Sequence, residues 1–292
     1  MSLTVRMKDC PYCGAPGSFY FKTSAGTYNR CLECDLIYKE NQDSYDKVLA
    51  SYRNGYFRRY SADQMGGKRG RLFVRILELI EKERDIGRLL DVGAGCGFFL
   101  AAAKKRGWKV RGIEPSMQSV EIARSQNGLD IYNGTLKEYD ENGEFDVITF
   151  INVLDHSVEP WDEIRKVYSL LKPGGIIYLR FPNGLFHSFL FKVSGKLNIE
   201  RIIRKFLVFH EYCFTPGFIR RLLSDHGFAD IEVYNAGLSG ESLIKFSPVF
   251  SFVARSIETA EKLTDLVSGG RVLWGPSLDV IAEKVEKSWE HF

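Results

Sequence analysis

The sequence predicts an α/β fold preceded by a small cysteine-bearing unit, and three observations carry that expectation. From Arg88 to Leu179, short apolar runs alternate with helical stretches, the pattern of parallel βαβ units with right-handed crossovers. Inside that stretch, Asp91-Val92-Gly93-Ala94-Gly95-Cys96-Gly97 joins a strand to a helix. Ahead of it, Cys10/Cys13 and Cys31/Cys34 form two Cys-x-x-Cys pairs.

Each element of the α/β stretch has its own local reason. Arg88–Val92 is a strand candidate, and the glycine turn leads into the helix Phe98–Arg106. Lys109–Ile113 and the helix Met117–Asn127 repeat the unit, and Asp130–Asn133 is a short third strand. Phe145–Ile151 is a fourth strand, with Val-Ile-Thr-Phe-Ile at its heart, followed by the helix Trp161–Leu171. Pro173-Gly174-Gly175 predicts a turn into a fifth strand, Ile176–Phe181. Further on, Pro216–His226 reads as a helix stopped by Gly227, Asp230–Tyr234 as a strand, Pro248–Leu266 as mostly helix and Ser277–Glu283 as a last alternating strand. Before the first strand, Leu72, Ile76, Leu79 and Ile80 recur at helical spacing, and Gly87 is a stop. Residues 44–62, rich in tyrosine, read as helix and loop.

Composition narrows the classes. The chain has 292 residues, 45% hydrophobic and 26% charged, which excludes disorder and collagen-like fibres and allows about two domains. No stretch reaches the ~20 consecutive apolar residues of a membrane span. The first 20 residues hold Lys8, Asp9, Cys10 and Cys13 where a secretory leader has an apolar core, so the expected location is the cytoplasm. The net charge of +3 is too small to argue for nucleic acid.

In a chain expected to stay in a reducing compartment, paired cysteines read as metal ligands before disulfides. The pairs are 17 residues apart, within the spacing of a four-thiolate zinc ribbon. Zinc favours such a closed tetrahedral set; iron, or no metal and disulfides, are the alternatives. Gly14 permits the tight turn after the first pair. Residues 1 to about 40 have too few apolar side chains for a core and need such a staple. With four thiolates the site has no open position, so its expected role is structural. Cys96 and Cys213 are isolated and read as buried inert thiols.

Glycines at 93, 95 and 97 let backbone approach a ligand closely, and the following helix start adds outward N–H groups, which suits a nucleotide-like cofactor. The dinucleotide fingerprint would need glycine where Phe98 stands. Glu114 ends the second strand, 23 residues after Asp91; Gly134-Thr135-Leu136 follows the third. Phe145–His156 and Leu171-Lys-Pro-Gly-Gly-Ile-Ile-Tyr-Leu complete a series of five motifs. Over roughly residues 70–182 this series resembles the class I S-adenosylmethionine (SAM) methyltransferases. The resemblance implies a Rossmann-like, mostly parallel sheet with an antiparallel last strand. It also implies a cofactor site from Asp91, Gly93, Ala94, Gly95, Gly97, Glu114, Pro115, Gly134, Thr135, Leu136 and Asn152. In that family the acidic residue at Glu114 bonds both ribose hydroxyls, as two carboxylate oxygens allow, and the segment at Gly134 contacts adenine. Thr135 stands where many members have Asp, and Asp155 where Glu usually precedes the histidine. The expected organisation is a zinc ribbon at 1–42, a helical linker and cap over the cofactor site at 43–87, and the methyltransferase domain at 88–292 with a lid insertion at 185–209.

The ribbon-plus-methyltransferase arrangement resembles a bacterial group some of whose members act on sugars or other small metabolites, with one relative class acting on ribosomal RNA. Residues 1–40 carry five basic and four acidic side chains, poor support for RNA. The expected acceptor is therefore a small molecule; an RNA methyltransferase and a non-catalytic scaffold are the alternatives. Methyl transfer needs a base only if the nucleophile must lose a proton. The candidates are His156, His187 and His210, with His156 and His210 ahead; each has the plainer reading of a helix cap or wall residue. His210-Glu-Tyr-Cys-Phe214-Thr215 resembles a His-x-x-x-Phe-Thr segment of related small-molecule methyltransferases. Tyr52, Tyr56, Phe57 and Tyr60 suit either a flat or hydroxylated ligand or plain packing. Residues 185–209 set Lys192, Lys196, Arg201, Arg204 and Lys205 against Glu200 and alternate them with large apolar side chains. A lid over the acceptor, a membrane-surface contact and a dimer contact all fit that pattern, and the oligomeric state is open.

Overall fold

The computed structural model describes residues 9–24, 26–53, 69–140, 144–197, 199, 203, 207–236, 256, 259–260, 263–264, 266–269 and 271–285. A seven-stranded sheet is its centre. Its strands are β4 (Arg88–Val92), β5 (Lys109–Glu114), β6 (Ile131–Asn133), β7 (Phe145–Ile151), β8 (Leu171–Pro182), β10 (Phe228–Ala236) and β11 (Ser277–Lys284). They lie in the order β10-β11-β8-β7-β4-β5-β6. β4, β5, β6, β7 and β8 pair in parallel, whereas β11 runs antiparallel to both β8 and β10. The expected mostly parallel sheet with an antiparallel last strand is therefore the observed one. β4 has β5 on one side and β7 on the other, so the chain reverses its direction of travel there, and ligands of open α/β sheets bind at the carboxyl ends beside such a point.

The helices α2 (Gly70–Glu83), α3 (Phe98–Lys105) and α4 (Met117–Asn127) cover one face. Ile76, Leu77 and Ile80 of α2 and Leu100 and Ala103 of α3 are buried there with Leu89, Val147 and Tyr178 of the sheet. Leu72 and Leu79 pack at the edge of this cluster, while Leu77, off the expected spacing, lies inside it. The other face packs against α5 (Pro160–Leu170) and α7 (Pro216–Asp225), through Ile164, Val167, Phe218 and Leu222. β8 starts five residues earlier than expected. Its register against β7 jumps from Phe145↔Leu171 to Val147↔Ile176, so the Pro-Gly-Gly segment bulges inside the strand, with Gly174 at φ 71°.

The N-terminal unit builds a second sheet from β1 (Gly17–Thr23), β2 (Gly26–Cys31) and β3 (Ile37–Lys39), all antiparallel. Its fourth strand, β9 (Tyr212–Cys213), comes from far along the chain. Cys10, Cys31, Cys34, Leu36 and Tyr38 belong to the same buried cluster as Leu90, Phe150 and Leu179 of the large sheet. α1 (Tyr45–Ser51) follows the unit, and α6 (Gly184–Lys196) lies after β8. No helix among the described residues is long and apolar enough to cross a membrane.

Candidate functional site

The glycine turn opens at the carboxyl end of β4. Gly93, Gly95 and Gly97 all have positive φ (74°, 54° and 77°), which L side chains rarely adopt. A Cβ at Gly93 would lie 2.5 Å from Val153 Cγ2, and one at Gly97 would lie 2.4 Å from Leu129 Cδ1. The Gly93 and Ala94 N–H groups donate to the Ile113 carbonyl, which ties the turn to β5. Asp91 accepts the Thr149 hydroxyl at 2.6 Å; burial and then the nearby Glu114 push its pKa up to about 7 against that bond. Glu114 is 6% exposed and accepts N–H bonds from Gly95 and Ser116, each at 2.8 Å and each on a different oxygen. Burial raises its pKa. Each carboxylate oxygen keeps a second lone pair, so the buried wall beside the open turn retains acceptors for a diol.

Thr135 is held by Glu138, whose carboxylate accepts both its N–H (2.8 Å) and its hydroxyl (3.0 Å). Tyr45 of α1 donates to the Thr135 hydroxyl at 3.2 Å, which brings α1 onto this edge. Asn152, at φ 56°, turns the chain after β7, with its N–H on the Arg180 carbonyl. Asp91, Gly93, Ala94, Gly95, Glu114, Thr135 and Asn152, with Pro115, Gly134 and Leu136, line one cavity of about 500 Å³, whereas Gly97, expected among them, does not line it and lies against Leu129 and Ala123. That size lies within the usual range for small-molecule sites.

The same cavity reaches Asp155, His156 and His210. The two imidazole rings sit 3.7 Å apart between centroids, tilted by 48°. Tyr52 meets His156 edge-on. His210 Nε2 is 3.4 Å from Asp155 Oδ2, and Asp155 is 2% exposed with no hydrogen-bond partner for either oxygen among the described residues. Burial raises the Asp155 pKa. Burial first, then His156 and His187, hold the His210 pKa well below the ordinary imidazole value. Glu163 also lines the cavity, its pKa pushed by burial up to about 7. His187 is different. Its Nε2 donates to the Pro276 carbonyl at 2.9 Å, its Nδ1 accepts the Val208 N–H, and burial lowers its pKa to about 4. With both nitrogens occupied it is a wall residue, the plainer of its two expected roles.

A family model for a methyltransferase domain matches residues 64–233, more than half of the chain. The chain belongs to that family. A ubiquinone biosynthesis O-methyltransferase of Vibrio parahaemolyticus is 25% identical over 153 residues, covering 50% of this chain and 65% of the relative. The corresponding protein of Bordetella avium is 30% identical over 139 residues, covering 44% and 56%. The match thus spans less than two thirds of these curated relatives. Among solved structures, a SAM-dependent methyltransferase from Archaeoglobus fulgidus superposes at TM-score 0.50 with 19% identity, over 82% of this chain and 100% of that one. Another, from Thermotoga maritima, gives 0.52 and 17%, over 82% and 98%. These likenesses bear on the fold.

In this methyltransferase-family chain the four paired cysteines also come together. Cys10 and Cys34 are 3.6 Å apart at sulfur, Cys13 and Cys31 3.5 Å, and all four sulfurs lie within 4.8 Å of one another. A tetrahedral ion with sulfurs at ~2.3 Å would set them about 3.8 Å apart. Gly14, at φ 71°, donates its N–H to the Cys10 carbonyl, and the Glu33 and Cys34 N–H groups point at Cys31 Sγ. The Cys34 thiol, hydrogen-bonded to Cys10, draws the Cys10 pKa down to about 5, while Cys34 itself is raised. The donor set fits zinc. Cys96 and Cys213 are buried singly, as expected.

Sequence reasoning missed Asp155 as an unpartnered carboxylate, Glu163 in the cavity wall, and the Tyr45–Thr135–Glu138 chain. Only the Thr135-to-Glu138 spacing, a capping-box pattern, offered a local signal. α6 buries Phe186 and His187, and Leu185 and Phe191 pack on Phe21 and Tyr28 of the four-cysteine unit. Lys192 stands 3.3 Å over the Tyr20 ring, so this member of the basic cluster faces an aromatic ring of that unit. Tyr56, Phe57, Tyr60, Glu200, Arg201, Arg204, Lys205 and most of 248–266 lie outside the described residues.

Proposed function

We propose that the chain transfers a methyl group from SAM to a hydroxyl of a small-molecule acceptor, and that Cys10, Cys13, Cys31 and Cys34 hold one structural zinc. The observation that carries the reading is the single cavity joining the glycine turn and Glu114 to the Asp155, His156 and His210 cluster. When bound, SAM supplies a methyl group on a sulfonium, already activated for in-line displacement. Glu114 accepts from the ribose hydroxyls, the glycine turn leaves room for the cofactor backbone, and Thr135 and Leu136 flank the base. On the acceptor side, His156 and His210 present an imidazole that takes the hydroxyl proton. Burial weakens His210 as a base, and the Asp155 carboxyl, 3.4 Å from its Nε2, is the group placed to stabilise the imidazolium as the proton arrives. The family relatives that act as O-methyltransferases support oxygen as the acceptor atom. The lid role of 185–209 belongs to the same proposal: His187 and Val208 wall the cavity and help exclude water. A reducing compartment such as the cytoplasm suits four free thiols.

The deciding experiment is a labelled-methyl assay over fractionated metabolites and RNA from the source cell. The expected result is label in a small molecule as an alkali-stable ether. Label in RNA would replace the small-molecule reading, and absence of SAM binding by calorimetry would favour a non-catalytic scaffold. Elemental analysis of protein purified without chelator should give one zinc per chain; less than about a tenth of an equivalent would contradict the metal assignment.

A further inference from the structure

We propose that the four-cysteine unit backs the acceptor side of the methyl-transfer site from behind and holds His210 in position. The inference rests on the reading of His210 as an acceptor-side group. His210 directly precedes the segment that the unit grips. β3 and β9 pair through Ile37↔Cys213 and Tyr38↔Tyr212, and the Lys39 N–H donates to the Glu211 carbonyl at 2.9 Å. The Lys39 ammonium meets Glu211 Oε1 at 2.8 Å, with both side chains less than a fifth exposed, and the Asp43 N–H donates to the other oxygen at 3.2 Å. Tyr212 donates to Gln42 and sits within reach of the Val158 carbonyl; Thr215 donates to the Asp35 carbonyl. β3 is in turn fixed by the cysteine cluster, since the Cys31 N–H donates to the Leu36 carbonyl and Cys34 lies three residues before Ile37. A rigid path of backbone pairing and one half-buried ion pair therefore runs from the four sulfurs to the residue beside His210.

The unit also approaches the histidines across a shared space. A second, smaller cavity of about 200 Å³ is lined by Tyr28 and Lys39 of the unit together with Glu211, Tyr52, His156 and His210. Tyr52, His156 and His210 line the larger cavity as well, so these side chains have the cofactor-side space on one side and the four-cysteine unit on the other. The groups facing His210 are Asp155 and His156 from the chain after β7, His187 from α6 and the neutralised Lys39–Glu211 pair. Among the described residues no hydrogen bond or ion pair links the unit to Glu114 or to Gly93, Gly95 or Gly97, whereas several hold the segment after His210, so its specific influence falls on the acceptor side.

The test uses the full chain with S-adenosylhomocysteine as probe. Lys39→Met removes the ion pair, Lys39→Arg retains it, and chelation removes the metal. Imidazole NMR follows the titration of His210, hydrogen exchange follows residues 209–213, and calorimetry follows S-adenosylhomocysteine. In Lys39→Met and in the stripped protein, the His210 midpoint should move up by roughly half a pH unit or more as its burial is relieved. Exchange at 209–213 should quicken roughly tenfold or more. Affinity for S-adenosylhomocysteine should stay within about twofold, and Lys39→Arg and re-added zinc should each restore the wild-type titration. An unmoved His210 titration with unmoved exchange in both perturbed forms overturns the proposal. Loss of S-adenosylhomocysteine affinity in step with the His210 change also overturns it, because the unit's effect on the folded site would then reach the cofactor side as well. A wild-type protein that binds no S-adenosylhomocysteine defeats the proposed methyl transfer, a result distinguishable from either.

Discussion

At the scale of single residues, the proposed cofactor site turns on Glu114. Its oxygens already take the Gly95 and Ser116 N–H groups, so the carboxylate is fixed before any ligand arrives. Glu114→Ala should weaken SAM binding by ~2–3 kcal/mol, because charge-assisted bonds to the ribose disappear and the turn loses its anchor. Titration calorimetry checks this, and an unchanged dissociation constant would remove Glu114 from the cofactor site. His187 gives a pH prediction. It stays neutral in the folded chain down to about pH 4, whereas an unfolded histidine takes a proton near pH 6.5. Between those values the unfolded chain binds more protons, so this residue's share of stability is present above 6.5 and is lost as pH falls towards 4. At pH 4.5 the loss should be on the order of 2–3 kcal/mol, and His187→Gln should abolish that share. Urea curves of both proteins at pH 7 and 4.5 measure it; an equal gap at the two pH values would show that burial does not depress this imidazole. Position along the chain made Asp91, Glu114 and His156 legible. It could not reveal that Asp155 is buried beside His210, because that neighbour comes from a segment folded back from 55 residues further along the sequence.

At the scale of elements, local pattern served best where an element is set by its own period and punctuation. β4, β7 and α4 have the ends expected of them, since apolar runs and cap residues mark those ends. β8 does not, because its first residues join the sheet only through pairing with Phe145 across a bulge. β9 has two residues and no period to read, yet it closes the second sheet. The expectation of a lid caught the apolar content of α6 but not its partner, the aromatic face of β1 and β2. In the proposed cofactor site, the glycine turn is the element whose conformation and function would coincide. Gly93→Ala would place a Cβ 2.5 Å from Val153 Cγ2 at φ 74°. The variant should lose about 1–3 kcal/mol of stability and bind SAM more weakly, since relief of the clash moves the turn. Denaturant melts with parallel calorimetry test both effects, and a variant equal to wild type in each would mean that the turn is not held as described.

At the scale of the whole molecule, the four-cysteine unit and the α/β domain do not behave as beads on a string. Read along the chain, residues 1–42 form a separate unit with too little core of its own. In space, Cys10, Cys31, Cys34 and Leu36 are packed in one cluster with Leu90, Phe150 and Leu179, and β9 lies in the smaller sheet. Tyr12 donates to Asp225 of α7 and Arg221 of α7 donates to the Glu33 carbonyl, so the cysteine knuckles are also tied to the large sheet's helices. Metal binding to such a site is folding free energy, and a shared core passes its loss to both sheets. Chelation should therefore lower one common thermal transition rather than melt the first 40 residues alone. A loss of only ~3 kcal/mol, well below the apparent contribution of structural zinc in isolated peptides, corresponds to a fall of roughly 6–12 °C for a chain of this size. The two signals to compare are near-ultraviolet dichroism, from aromatic packing, and far-ultraviolet dichroism, from the helices around the large sheet. They should move together on adding chelator and return together on adding zinc. A far-ultraviolet transition that stays in place while the aromatic signal melts early would show instead that the α/β domain stands without its cysteine unit.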